Sequence, residues 1–345
     1  MKPYSLRAAL VIGLAAALTK AIAGTLGLDS APVAYAVIMS VLVVKPDFGR
    51  LPLLLYPVLV VLVGGGMAIG LGVHVAFDGA PDSFTFAVVA LLMQLLGLLL
   101  PGKLRLLSGA LAVAGVLPLL SSNTSVSTWA QEVGAIALGL ALGTVVQRAL
   151  TPAQLPAAEE PPEAPPDPPL AVRLQQGLRS PFFWERTLLA MLALSIGEGL
   201  GALAPKYLYF GVVLLFNDSL DATLARVIDR MVGVSLGVLM PLLVFNTIGT
   251  GPVEIGLVMG GTAALVMVLG LGRFLRTALI SSGVAFVGYG SLVVWYIPNR
   301  WIDYLMGCVL AASAALVVDA VRQRAASRQP AQAYPSPPGR DRWRG

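Results

Sequence analysis

Long apolar runs, broken by short polar or glycine-rich turns, recur along the whole chain. Runs of about 20 apolar residues have the length that crosses a bilayer as an α-helix. The pattern predicts twelve such segments, at roughly 7–28, 32–45, 51–77, 84–101, 104–121, 127–149, 185–204, 207–218, 221–246, 252–271, 274–296 and 300–322. The second and eighth are short, near the lower limit for spanning, and merging one short pair would leave ten spans. We therefore expect an all-α, polytopic membrane protein.

Composition narrows the function classes. The chain is 57% hydrophobic and 12% charged, a balance foreign to soluble domains of this length. Its single cysteine, Cys308, and single histidine, His74, cannot build a disulfide framework or a Cys/His metal site. There is no phosphate-binding Gly-Lys-Ser/Thr loop and no nucleophile–base set. The sequence thus predicts neither an enzyme nor a cofactor.

Charge predicts the orientation of the spans. With the N-terminus in the cytoplasm and alternating spans, 20 of the 23 basic residues fall inside. The exceptions are Lys20 within the first span and Lys206 and Arg300 outside. This distribution follows the positive-inside rule and places both termini in the cytoplasm. It also explains the net charge of +5 without nucleic acid as a partner.

The chain divides into two six-span halves, 1–150 and 181–324. Between them, 151–180 is rich in proline and alanine and predicts an extended cytoplasmic linker. The basic tail 325–345 predicts a disordered segment near the anionic leaflet. Anchors recur at nearly constant spacing across the linker, as in Trp129 with Trp301, each followed by an acidic residue. Since six is even, the halves have the same orientation and predict a parallel repeat.

Lys20 and Glu198 are ionisable residues that stand in matching apolar segments of the two halves. A charge at membrane depth costs at least about 2.5–3.5 kcal/mol and marks a candidate functional site. We expect Lys20 to bind an anion and Glu198 to carry a proton. A structural ion pair that joins the halves is the alternative, and both roles are compatible.

A second candidate site follows the eighth segment, where Asp218 precedes Arg226, Asp229 and Arg230. The last three share one helix face at i, i+3 and i+4. Their net positive charge suits a cytoplasmic mouth that gathers organic anions. The alternative is structural, with Asn217 to Asp221 capping the next helix and the arginines anchoring it at the interface. Lys45 and Arg50 occupy the matching turn of the first half and could line the same mouth, although a plain helix start there is favoured.

The region 207–237 resembles the fusaric-acid-resistance-like family, which includes aromatic acid exporters and resembles plant malate-type anion channels. The resemblance rests on a short span, a polar turn, and a helix that carries Arg226 and Arg230 ahead of Gly233 and Gly237. The family commonly shows Gly-Thr where this chain has Gly-Val. In the first half Leu54 and Val58 stand at the arginine positions, so only one half carries the arginines.

The resemblance implies a substrate class of small organic anions, such as aromatic carboxylates. Together with the buried charges and the repeat, it predicts a bacterial inner-membrane secondary transporter that exports these anions, with Glu198 exchanging a proton for the anion. Substrate anion, protons and lipid bilayer are the expected partners, and a homo-oligomer is compatible with the sequence. An anion channel of the same fold and a non-transporting membrane scaffold remain alternatives. A lipid-handling protein is disfavoured because the catalytic set is missing.

Overall fold

The structure is a computed structural model, and it describes residues 3–28, 30–44, 55–101, 104, 108–120, 125–150, 168–200, 206–286 and 293–328. Over these residues the chain forms helices and no strand. The first half contains α1 Pro3–Thr25, α2 Ser30–Val43, α3 Leu55–Ala76, α4 Asp82–Leu99, α5 Ser108–Ala114 and α6 Val126–Leu150. The remainder contains α7 Leu170–Arg179, α8 Pro181–Gly199, α9 Lys206–Leu215, α10 Leu220–Thr247, α11 Pro252–Val268, α12 Leu275–Phe286 and α13 Val293–Arg328. Short 3-10 turns follow α5 and precede α12.

Each of the twelve predicted segments contains a helix, which confirms the all-α class. Among the described residues, six helices are long and apolar enough to cross a membrane: α1, α3, α4, α6, α10 and α13. Two shorter apolar helices, α2 and α11, accompany them. The number of spans stays a prediction. Several boundaries differ from the prediction: α8 begins at Pro181, ahead of the predicted 185, and α13 begins at Val293, ahead of the predicted 300.

The predicted linker, 151–180, is described only from residue 168, and there it contains a helix in place of extended chain. This helix, α7, has a strongly amphipathic sequence, and α7 packs against α4 and α8. Arg173 donates to the Leu100 carbonyl, 2.7 Å away, at the end of α4. Residues 151–167 and 329–345, which hold the rest of the predicted linker and most of the predicted tail, lie outside the described residues.

Helix ends follow from local chemistry. After α1, Gly27 adopts φ +66°, a conformation that costs a residue with a Cβ, and the Leu28 amide returns to the Ala23 carbonyl. At the start of α10, the Ser219 hydroxyl accepts from the Ala222 amide at 3.3 Å. The capping role predicted for the segment 217–221 therefore belongs to Ser219.

The helices pack so that the two halves interleave. Helix α1 packs on α11 as well as on α2 and α6, and α8 packs chiefly on α4 and α9. In the same way α2 contacts α12, and α9 contacts α5. Each half therefore contributes to both groups of buried residues, one around α1 and α11 and the other around α4 and α8.

The outer surface of the bundle is strongly apolar. Leu10, Val61, Leu243 and Val317 are each at least 60% exposed, and many other large aliphatic residues share this exposure. Soluble monomers rarely present such continuous apolar surface, whereas a bilayer requires it. The surface and the long apolar helices together are those of a helical membrane protein.

Candidate functional site

Lys20 and Glu198 lie on helices whose main packing partners differ, α11 and α2 for α1, and α4 and α9 for α8. Lys20 is half-buried on α1, five residues before the helix ends at Thr25. Glu198 is exposed and is the penultimate residue of α8, which stops at Gly199 and does not continue to 204 as predicted. The two helices belong to different packing groups. The pairing of these two charges and the role of each residue stay predictions.

Arginines from three helices converge instead on the carboxyl end of α9. From α8, Arg186 donates to the Val213 carbonyl. From α10, Arg226 donates to the Leu214 carbonyl over 3.5 Å. The last carbonyls of a helix carry partial negative charge and lack intrahelical partners, so cations are stabilised there. We call Arg186, Arg226 and Arg322 the arginine cluster.

The third member, Arg322 of α13, is neutralised within the protein. Its Nη1 donates to the Asp218 carbonyl at 2.6 Å, and its Nη2 donates to Glu185 Oε2 at 2.7 Å. Asp218 thus contributes a backbone carbonyl to the cluster. A shallow depression beside this ion pair is lined by Asp218, Asp319 and Arg322 among others. On this side of the cluster, Glu185 neutralises Arg322, and Asp218 and Asp319 lie beside the pair.

Arg186 and Arg226 differ from Arg322 in this respect. Within the described ranges, neither lies in an ion pair with a carboxylate. The buried Nε of Arg186 has no hydrogen-bond partner there. When the amide of Asn217 is oriented to satisfy both groups, its oxygen accepts from Arg226 Nε at 2.8 Å. Two guanidinium groups without carboxylate partners can form paired hydrogen bonds with a bound carboxylate.

The other residues of the predicted mouth are more dispersed. The Arg230 guanidinium lies over the Tyr304 ring, 5.0 Å from its centroid, in a cation–π contact. Asp229 is exposed and pairs with Arg273 over 3.9 Å, so it does not neutralise a neighbouring arginine of its own helix. Of the predicted set, Arg226 and Asp218 join the arginine cluster. Lys45 and Arg50 lie outside the described residues.

A buried carboxyl on α6 is a site that the sequence reasoning passed over. Glu132 is 0% exposed, and neither of its oxygens has a hydrogen-bond partner in the described structure. One turn earlier, Trp129 donates its indole N–H to the Gly64 carbonyl at 3.0 Å. In the second half Trp301 donates to the Ser235 hydroxyl at 3.0 Å, and Asp303 is 4% exposed.

Glu132 was noted only as an acidic residue that follows a tryptophan. The available signal was that Glu132 is the one acidic residue of the predicted segment 127–149, as Lys20 and Glu198 are lone ionisable residues in the apolar interiors of theirs. No group of three or more metal-ligating side chains occurs in the described parts of the chain. Comparison with protein-family models, with curated proteins and with solved structures finds no match for this chain.

Proposed function

We propose that this protein is a secondary transporter of the bacterial inner membrane that exports small organic anions, with aromatic carboxylates as its substrate class and protons as the coupling ion. The observation that carries the proposal is the arginine cluster. Arg186 and Arg226 present two guanidinium groups to the carboxyl end of α9, and among the described residues no carboxylate pairs with them. A substrate carboxylate supplies the missing negative charge.

The orientation of the cluster also supports the proposal. Arginine side chains donate to backbone carbonyls at the ends of α4, α6 and α9, through Arg173, Arg7 and Arg186 respectively. The positive-inside rule assigns all three helix ends to the cytoplasm. The cluster would then face the compartment from which an exporter collects its substrate, with both termini on the same side.

A twofold repeat accounts for the helix packing. Numbering α8 to α13 as counterparts of α1 to α6, the pair α1–α11 corresponds to α8–α4, and α2–α6 corresponds to α9–α13. The pair α2–α12 likewise corresponds to α9–α5. The tryptophan hydrogen bonds of α6 and α13 reach equivalent places on α3 and α10. This correspondence supports twelve spans in two parallel repeats, which could rock against each other to give alternating access.

In this mechanism the arginine cluster gathers the anion at the cytoplasmic face. Lys20, deeper along α1, offers a further positive charge for the anion as it moves outward. Removing one guanidinium from a carboxylate site removes charge-assisted hydrogen bonds of about 1.5–3 kcal/mol. Binding and uptake at low substrate concentration should weaken about tenfold or more.

The test is flux of hydroxybenzoate-like acids in proteoliposomes under an imposed pH gradient. Arg186→Gln and Arg226→Gln should lose most of the flux, and Arg186→Lys should keep part of it. Arg276→Gln removes an exposed arginine from α12, on the same predicted side, and should behave as wild type.

Two results would contradict the transporter. Flux that ignores the pH gradient and exceeds transporter turnover would indicate an anion channel. No flux of any acid from correctly inserted wild type would remove the substrate class and favour the scaffold.

A further inference from the structure

The buried carboxyl of Glu132 lies level with the start of α2. On α6, Gly139 packs against the carbonyl of Ala36, and Gly143 packs against that of Ser40. Both numbers rise by four, so α2 and α6 run parallel at this contact. Seven residues before Gly139, about 10 Å along the axis, Glu132 is level with the amino end of α2, which begins at Ser30.

The second half repeats this placement. On α13, Gly307 packs against Gly211 of α9. Four residues before Gly307, Asp303 is level with the first turn of α9, which begins at Lys206. Each half thus buries one acid beside the amino end of its short second helix. The recurrence argues for a built feature of the fold.

An ionised carboxylate without a partner is far more costly to bury than the neutral acid. The surroundings of Glu132 in this conformation therefore suit the protonated side chain. The amino end of α2 nearby has backbone N–H groups that no helical carbonyl can satisfy. If water enters there, these N–H groups and the helix dipole stabilise the ionised form. The position beside the amino end of α2 can therefore accommodate both the protonated and the ionised form of Glu132.

Three helices pack on α6, and each carries few groups that can titrate. On α1, the contact of Arg7 with the Leu150 carbonyl sets the two helices antiparallel. Lys20, 13 residues further, is then level with about residue 137, roughly 8 Å along the axis from Glu132. Measured along the helix axis, Lys20 is therefore the cation of α1 nearest to the Glu132 carboxyl. Arg7 lies near the other end of α1.

The other two helices bring no further carboxylate among the described residues. Tyr35 is the titratable residue of α2, and α3 carries Tyr56 and His74. Because Gly64 of α3 lies against Val133, Tyr56 and His74 are about 12–15 Å from the level of Glu132.

We propose that Glu132 is the proton-binding site of this transporter, in the role that the sequence suggested for Glu198; this rests on the proposed function. Under the predicted topology Glu132 lies in the outer part of α6. In the outward-open state a carboxylate oxygen of Glu132 forms an O–H bond with a proton from external water. In the inward-open state that bond breaks and the proton passes to cytoplasmic water, so one proton enters and no electron is transferred.

The experiment uses the full-length protein in proteoliposomes with two assays. Anion exchange with substrate on both sides at equal pH needs no net proton movement, whereas accumulation against a gradient does. Glu132→Gln, which mimics the neutral acid, should retain exchange and lose pH-driven accumulation. Glu254→Gln makes the same change at the amino end of α11, on the same predicted side, and should retain both.

Infrared spectroscopy gives a readout that does not depend on transport. Wild type should show the C=O band of a protonated carboxyl at neutral pH, and Glu132→Gln should lack that band. Glu132→Asp, which keeps the acid, should restore the band if the glutamine variant is poorly folded.

The outcomes separate the two proposals. The assignment of Glu132 would be overturned if pH-driven accumulation survives in Glu132→Gln, or if it is lost only in Glu198→Gln. An unchanged infrared band would overturn it as well. Wild type that moves no anion in either assay would overturn the proposed function, while the infrared band would still decide whether Glu132 binds the proton.

Discussion

Two interfaces join the first half to the second, α1 with α11 and α4 with α8, and they are built differently. Between α1 and α11, Gly13, Gly256 and Gly260 bring the two backbones into contact. A Cβ on Gly13 would lie 2.8 Å from the Gly256 carbonyl oxygen. Between α4 and α8 the helices are joined by a hydrogen bond, from Gln94 Nε2 to Thr187 Oγ1 at 2.8 Å.

The two interfaces between the halves are therefore stabilised in different ways, one by backbone contact between glycines and the other by a side-chain hydrogen bond. Small residues let two helices approach closely in lipid. The resulting dispersion contacts stabilise the pair and leave the helices little freedom to separate. A side-chain hydrogen bond is individually weak and can be exchanged with water. In the proposed transport cycle, α1 and α11 are expected to move as one unit, whereas α4 and α8 are expected to separate more readily.

The largest expected effect comes from filling the glycine interface. Gly13→Ala should destabilise the protein by about 1–3 kcal/mol, because the new methyl group meets backbone atoms that cannot move aside. Gly24→Ala, on the same helix in open space, should be neutral or slightly stabilising. Thermal unfolding in detergent measures both. Equal midpoints for the two variants would show that the glycine contact is not close.

A smaller effect is expected at the hydrogen-bonded interface. Thr187→Val removes the acceptor of Gln94 and should cost about 1 kcal/mol, since interhelical hydrogen bonds in membranes are weak. Thr187→Ser keeps the hydroxyl and is the matched control. In the double variant with Gln94→Leu, the loss should be smaller than the sum of the single losses. Additive losses would mean that the bond is not formed.

The smallest effect concerns the tryptophans, where the halves are alike. Trp129→Phe and Trp301→Phe each remove one hydrogen bond to a neighbouring helix. Both should cost about 0.6 kcal/mol, the average for an interhelical hydrogen bond in a membrane, with similar shifts of the thermal midpoint. A large difference between the two midpoint shifts would show that the halves also differ outside the α1–α11 and α4–α8 interfaces.

Hydrophobic periodicity predicted the helices well because burial in lipid or protein leaves the same apolar signature. It failed where composition was used alone. The proline-rich character of 151–180 concealed α7, although Leu170, Leu174 and Leu178 recur at helical spacing. The pattern of apolar residues would have predicted this helix, whereas average composition could not.

The candidate site was predicted less well, because a linear sequence fixes depth only if helix ends are known. Glu198 was assigned to the middle of a span that was expected to reach 204. Gly197, Gly199 and Gly201 surround it, and such density of glycine ends helices. The positive-inside rule places Arg186 near the membrane interface, but its approach to α9 depends on packing between helices that no local pattern encodes.

Helix α7 also has a consequence for how the chain could be divided. Arg173 attaches α7 to the end of α4, and the Trp184 indole of α8 donates to the Leu178 carbonyl at 2.9 Å. Only Ser180 separates α7 from α8. If the chain were expressed as two fragments divided within 151–167, the second fragment would keep α7. The contacts of α7 with α4 would then help the two fragments reassemble. A second fragment that begins at Pro181 would lose α7 and its attachment to α4, so it should reassemble with the first fragment less well.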